Sequence, residues 1–91
     1  MRKYFTAQCR TRRGGVHEVR VLDISTAGLM VDKRAVQMEE GDRLLIKLPG
    51  LAWLPLSVLW IEDARAGLLF EEPLYAAVLE HLQQCIVVEG A

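Results

Sequence analysis

Phe5, Ala7 and Cys9 alternate with Thr6, Gln8 and Arg10, the two-residue period of a strand with one buried face. Gly14-Gly15 is a two-residue hairpin turn signal. A second strand is predicted from Val16 to Ile24, with Val19 and Val21 inward and Glu18 and Arg20 outward. After the segment Asp23–Gly28, Leu29-Met30-Val31 reads as a short third strand, and the polar stretch 32–40 as loop or one helical turn. Gly41-Asp42 marks another turn. Leu44, Ile46 and Leu48 then alternate with Arg43, Leu45 and Lys47 until Pro49-Gly50 ends that strand. Trp53 to Ile61 is apolar at both parities, which predicts a strand covered on both sides. Residues 62–66 turn the chain, and Gly67-Leu68-Leu69-Phe70 return it. Pro73 suits the first turn of a helix, where its missing N–H costs nothing. Leu74, Val78 and Leu82 follow at helical spacing, with Tyr75 and Leu79 on an adjoining line. Six short strands and a closing helix predict a mainly β domain, a six-stranded antiparallel β-barrel with a C-terminal α-helix.

The 91 residues suffice for one core, so residues 1–91 are expected to form a single domain. The barrel is predicted over about 4–71, the helix over about 73–85 and a short tail over 86–91. A hydrophobic fraction of 52% excludes a disordered segment. No apolar run reaches the length of a membrane span, and the basic, polar first twenty residues do not resemble a signal peptide. With two cysteines, Cys9 and Cys85, and no secretory segment, a reduced cytoplasmic setting is expected. The two cysteines offer no metal-site spacing.

The net charge of −1 conceals an asymmetry. Residues 1–20 carry Arg2, Lys3, Arg10, Arg12, Arg13 and Arg20 against Glu18. From Ile61 onward Glu62, Asp63, Glu71, Glu72, Glu80 and Glu89 face Arg65 as the single base. Such a distribution points to a local anionic ligand or to an edge strand kept soluble by arginines, and not to a tracked nucleic-acid duplex.

Asp23, Ser25 and Gly28 place a carboxylate, a hydroxyl and a glycine at fixed offsets where the chain must bend. A carboxylate at a strand end accepts two parallel N–H bonds from the Watson–Crick edge of guanine, and a neighbouring hydroxyl donates or accepts beside it. Glycine supplies either a positive φ or a close backbone approach. The same residue types also build an ordinary β-turn whose side chains bond only local backbone.

Asp23-x-Ser25-x-x-Gly28 resembles the D/N-x-S-x-x-G signature of PilZ domains, bacterial modules that bind the second messenger cyclic di-GMP. Gly41-Asp42, Val58-Leu59-Trp60 and Ala66-Gly67-Leu68-Leu69-Phe70 look like the later strands of that family, so the likeness covers roughly residues 5–84. The resemblance implies a six-stranded barrel with a C-terminal helix, guanine and phosphate-side contacts from Asp23 and Ser25, and a tight backbone at Gly28. The family's second element is an R-x-x-x-R pair before the first strand, which clamps phosphates and stacks on guanine faces. That pair is absent: Arg2 is followed four places on by Thr6, Arg10 by Gly14, Arg12 by Val16 and Arg13 by His17. Alignment through the first strand puts the second arginine near Lys3 or Tyr4 and the first before the chain begins. Losing two charge-assisted contacts of about 1.5–3 kcal/mol each weakens binding by several powers of ten.

Two functions follow. One is a cyclic di-GMP module that uses Asp23, Ser25 and Gly28, with Arg2, Lys3 or Arg10 as a reduced clamp. The other is an adaptor that keeps the barrel and acts on an unidentified protein partner without the nucleotide. An enzyme is not expected, because neither His17 nor His81 has an evident Ser or Cys partner. No cofactor or metal is expected either: Asp32, Glu39, Glu40 and Asp42 lack a metal-loop pattern. General RNA binding would want exposed aromatics among the bases, and only Tyr4 and Phe5 are near them. Leu51, Ala52, Trp53 and Leu54 form an apolar loop that either folds over the open barrel end or serves a partner or homodimer contact.

Overall fold

The computed structural model describes residues 2–34, 36–85 and 87–89, with side chains described over 5–34 and 36–85. Strands β1 (Arg2–Arg10), β2 (Val16–Ile24), β3 (Gly28–Asp32), β4 (Arg43–Lys47), β5 (Trp53–Glu62) and β6 (Arg65–Phe70) are followed by helix α1 (Ala76–Gln83) and a short β7 (Val87–Glu89). The sheet runs β2-β3-β6-β5-β4-β1, and pairing of β1 with β2 closes it on itself. Every pairing is antiparallel. This is the six-stranded barrel with a C-terminal helix that the alternation predicts.

Inward residues fill the barrel as their parity demands: Phe5, Ala7 and Cys9 from β1, Val19 and Val21 from β2, Leu44 and Ile46 from β4, Leu56 and Val58 from β5. A small barrel has room only for side chains, so these residues form the core. Leu82 of α1 is fully buried against them, with Leu74 and Val78 packed alongside. The helix therefore plugs one barrel end with the predicted stripe, while Tyr75 on the adjoining line is 83% exposed.

Several boundaries differ from expectation. The turn at Gly14-Gly15 is the end of a five-residue connection: Arg10 pairs with Val16, and residues 11–15 close through Gly14 N–H to Thr11 O (2.9 Å) with Gly14 at φ +87°. The polar stretch after β3 is loop, yet it sends Val36 and Met38 into the core. Pro73 lies outside the helix. The N–H of Leu74 is held by Thr26 O at 2.8 Å, and the chain stays extended through Tyr75 (φ −72°, ψ 149°) before α1 begins. Within the stretch expected as a tail, Val87–Glu89 pairs with the start of β1, Arg2 opposite Glu89 and Tyr4 opposite Val87.

β5 is not covered on both sides: Leu59 is 59% exposed. The apolar loop divides similarly. Leu51 and Leu54 pack on the core as a fold-over predicts, whereas Trp53 opens β5 on its outer face with the Arg10 guanidinium 5.3 Å from its ring centroid.

Candidate functional site

The corner between β2 and β3 is a closed local unit. Ser25 N–H donates to Gly28 O (2.8 Å), and the N–H groups of Ala27 and Gly28 both donate to Ser25 Oγ (3.3 Å each). Ile24 N–H donates to Asp23 Oδ1 at 3.0 Å. The outer carbonyls of the corner are held by the neighbouring strand β6 and the segment that follows it, Ala27 O by Phe70 N–H (2.9 Å) and Thr26 O by Leu74 N–H (2.8 Å). Turn chemistry thus accounts for much of Ser25 and for one oxygen of Asp23. The other oxygen, Oδ2, carries no hydrogen bond among the described residues, and both side chains are exposed.

Gly28 is required by sterics and not by backbone dihedral. A Cβ there would lie 2.1 Å from Leu68 O of the paired strand β6. Glycine is the residue that permits so close a backbone approach.

Asp23 faces outward because β2 is bulged. Val21 pairs with Val31, and the next pair is Asp23 with Met30, so Leu22 is the extra residue. Strict alternation from Val19 and Val21 would have turned Asp23 into the core. The bulge reverses parity, sending Asp23 out beside Met30 and Ile24 in beside Leu29. A second bulge does the same on β5. Val58 pairs with Leu68 and Trp60 with Gly67, leaving Leu59 unpaired, so Trp60 turns out and Ile61 turns in.

The two bulges align one transverse row on the outer face: Asp23 on β2, Met30 on β3, Gly67 on β6 and Trp60 on β5. Four neighbouring strands span about 14 Å. The Trp60 indole lies on Gly67, where a Cβ would meet its Nε1 at 2.2 Å. With Ser25, Leu59 and Leu69 these residues line a shallow groove of about 320 Å³. That is the lower end of small-ligand sites. The groove offers a carboxylate and hydroxyl at one end and an aromatic platform at the other, the pairing that a flat heterocycle with an N–H edge would use.

Of the other expected site residues, Arg10 is not brought here. It pairs with Val16 at the opposite end of β1 and packs on Trp53. Arg12 and Arg13 sit in the 11–15 connection. They line a separate polar cleft, Arg12 3.6 Å from Asp42 Oδ1 and Arg13 Nη1 donating to Gln37 Oε1. The pairing of β1 with β2 ends at Phe5–Val21, and Arg2 and Lys3 lie beyond it, where β1 pairs with β7. The side chains of Arg2 and Lys3 lie outside the described residues. Met30, Gly67 and Trp60 are the groove residues that strand patterning does not single out as site residues.

The molecule is thus a closed antiparallel barrel plugged by one helix, with an outward carboxylate and an outward indole on one row. The chain belongs to the PilZ domain family, a family of cyclic di-GMP receptors, whose sequence model matches residues 2–87. The crystal structure of the PilZ domain of CeSA from a cellulose-synthesizing bacterium superposes with a TM-score of 0.60 at 13% identity, covering 92% of each chain, which shows the common fold. No curated protein matches the sequence. Among the described residues, no helix is long and apolar enough to cross a membrane.

Proposed function

We propose that this PilZ domain binds cyclic di-GMP weakly in the groove between the Asp23 corner and Trp60. One guanine would present its N–H edge to Asp23 and lay its face on the indole of Trp60. Ser25, whose Oγ accepts from two backbone N–H groups and donates to Gly28 O at 3.4 Å, would serve the phosphate side by turning that hydroxyl from Gly28 O to the ligand. The observation that carries this reading is the row itself: two independent bulges turn Asp23 and Trp60 to the same face, with the Asp23 Oδ2 left for a ligand. Weak binding is expected because no arginine lines the groove among the described residues, and Arg10, Arg12 and Arg13 belong to the other end of the barrel.

Calorimetric titration with cyclic di-GMP tests it, read in parallel by Trp60 emission in a Trp53→Phe background. Micromolar or weaker binding that Asp23→Ala abolishes and that quenches Trp60 is the expected result. No heat and no quenching at millimolar ligand would overturn it. The adaptor reading is favoured by one observation, the exposure of Leu59 (59%) and Leu69 (44%) on the rim of the same groove. In that case the groove takes an apolar protein side chain in place of the base.

A further inference from the structure

The wall opposite the nucleotide groove carries a second pattern. Cross-strand register sets Val16, Arg10, Leu45 and Pro55 in one outward row over β2, β1, β4 and β5, and Glu18, Gln8, Lys47 and Trp53 in the next, with the one acid at the β2 edge of that row. Val16 is 47% exposed and Trp53 lies outside the core. Arg10 packs on Trp53 and makes no ion pair among the described residues. Lys47 reaches only the carbonyl of Leu51. An arginine stacked on tryptophan within an apolar surround is the composition of an interface hot spot, and its charge is unspent.

The complementary surface is on the same molecule. The segment leading into α1 and the exposed face of the helix carry Glu72, Tyr75 and Glu80, none of them in an ion pair among the described residues. Glu71 shows how this acidic segment meets the basic wall. It accepts both Arg43 Nε (2.6 Å) and Arg43 Nη2 (3.1 Å), and Arg43 stands on the same outward face of β4 as Lys47. Glu72 and Glu80 therefore remain for cations outside this fold unit, while Arg10 and Lys47 remain for acids. The two surfaces adjoin: His81 Nε2–H in the last turn of α1 donates to Pro49 O (3.2 Å), in the loop that links Lys47 to Trp53.

We propose that the Arg10–Trp53 wall is a docking surface for the acidic, tyrosine-bearing segment 72–80 of a second copy of this chain, which leads into and includes the exposed side of α1. Because both surfaces lie side by side, one two-fold axis can join each wall to the other copy's helix. The contact places Tyr75 against the Trp53 platform and Glu72 or Glu80 against Arg10 and Lys47.

Sedimentation equilibrium or light scattering on the full chain decides it. The expected result is a mass that rises with concentration from monomer towards dimer at low salt. It should fall back in about 0.5 M salt, where the screening length is only ~4 Å. Arg10→Glu, and separately the pair Glu72→Lys with Glu80→Lys, should each weaken dimerisation at least about tenfold, or 1.4 kcal/mol. All three positions are exposed, and circular dichroism checks that the variants stay folded. An equimolar mixture of the two variants should regain association, since one wall and one helix face remain native across the pair. Monomer mass at all concentrations, or association indifferent to Arg10→Glu, would overturn the proposal. The first result would leave the wall to an acidic partner of another kind.

Discussion

The Trp60 indole rests directly on the α-carbon of Gly67, on a face to which a bulge at Leu59 has turned it. A methyl group at Gly67 would meet three atoms of the ring within 2.8 Å, so the indole must lift. Gly67→Ala should therefore destabilise the domain by about 1–3 kcal/mol, the usual range for overpacking. Urea unfolding measures this, and red-shifted Trp60 emission in the Trp53→Phe background reports the displaced ring. An unchanged spectrum would mean that Trp60 does not lie on Gly67.

Gly28→Ala should cost more. Its Cβ would be 2.1 Å from a backbone oxygen of the neighbouring strand, Leu68 O, which no side-chain rotation can relieve. A loss of about 3 kcal/mol is expected, at the upper end of overpacking effects. A Gly28→Ala variant as stable as the parent would refute the close β3–β6 approach.

Arg43 and Glu71 predict an acid-sensitive increment of stability. The hydrogen bonds from Arg43 hold the Glu71 carboxyl below its ordinary value of 4.5. A carboxyl depressed in the folded state contributes stability that is complete above the unfolded value and disappears as pH falls through the folded one. The pair is solvent-exposed, so the increment is small and salt-sensitive. Melting temperatures of the parent and Glu71→Gln should differ slightly at pH 7, and the difference should shrink as pH falls below the ordinary carboxyl value of 4.5. A difference that does not shrink as the solution is acidified would assign Glu71 a role other than this ion pair.

Cys9 should be chemically silent. It is 1% exposed inside the barrel, and burial pushes its thiol up to about 11. At pH 8 a disulfide-exchange reagent should titrate only Cys85 in the native protein and both thiols in denaturant. Because the folded value is raised, the neutral thiol's contribution is complete below the unfolded value of 9.0 and is lost as pH rises towards about 11. Rapid labelling of Cys9 in the native state would contradict its placement in the core.

The corner and the groove were not equally legible before folding. Asp23 carries a readable signal: a charged residue at the inward parity of Val19 and Val21, followed by apolar Ile24 at the outward parity, is what a bulge leaves in a strand. β5 carries none, since Leu56, Val58, Leu59, Trp60 and Ile61 are all apolar and either parity reads as plausible. The same uniformity made that strand look covered on both sides, although Leu59 faces solvent. Arg10 is illegible for the opposite reason. Its residue type suits a phosphate clamp, but register alone decides which barrel end it occupies, and it sits with Val16 and Trp53.

What the chain determined by itself was the set of elements, the inward residues of β1, β2 and β4, the core-facing helix positions Val78 and Leu82, and the chemistry of the Asp23–Gly28 corner. These rest on local periodicity and turn propensity, which short segments carry intact. Tertiary structure alone decided that Trp60 shares a face with Asp23, that Gly28 answers a carbonyl of β6, and that Arg10 belongs to another wall. Each of those depends on which residue of one strand lies opposite which residue of another. A single extra residue in the pairing turns every later side chain to the other face, and no segment read in isolation records where its partner will lie.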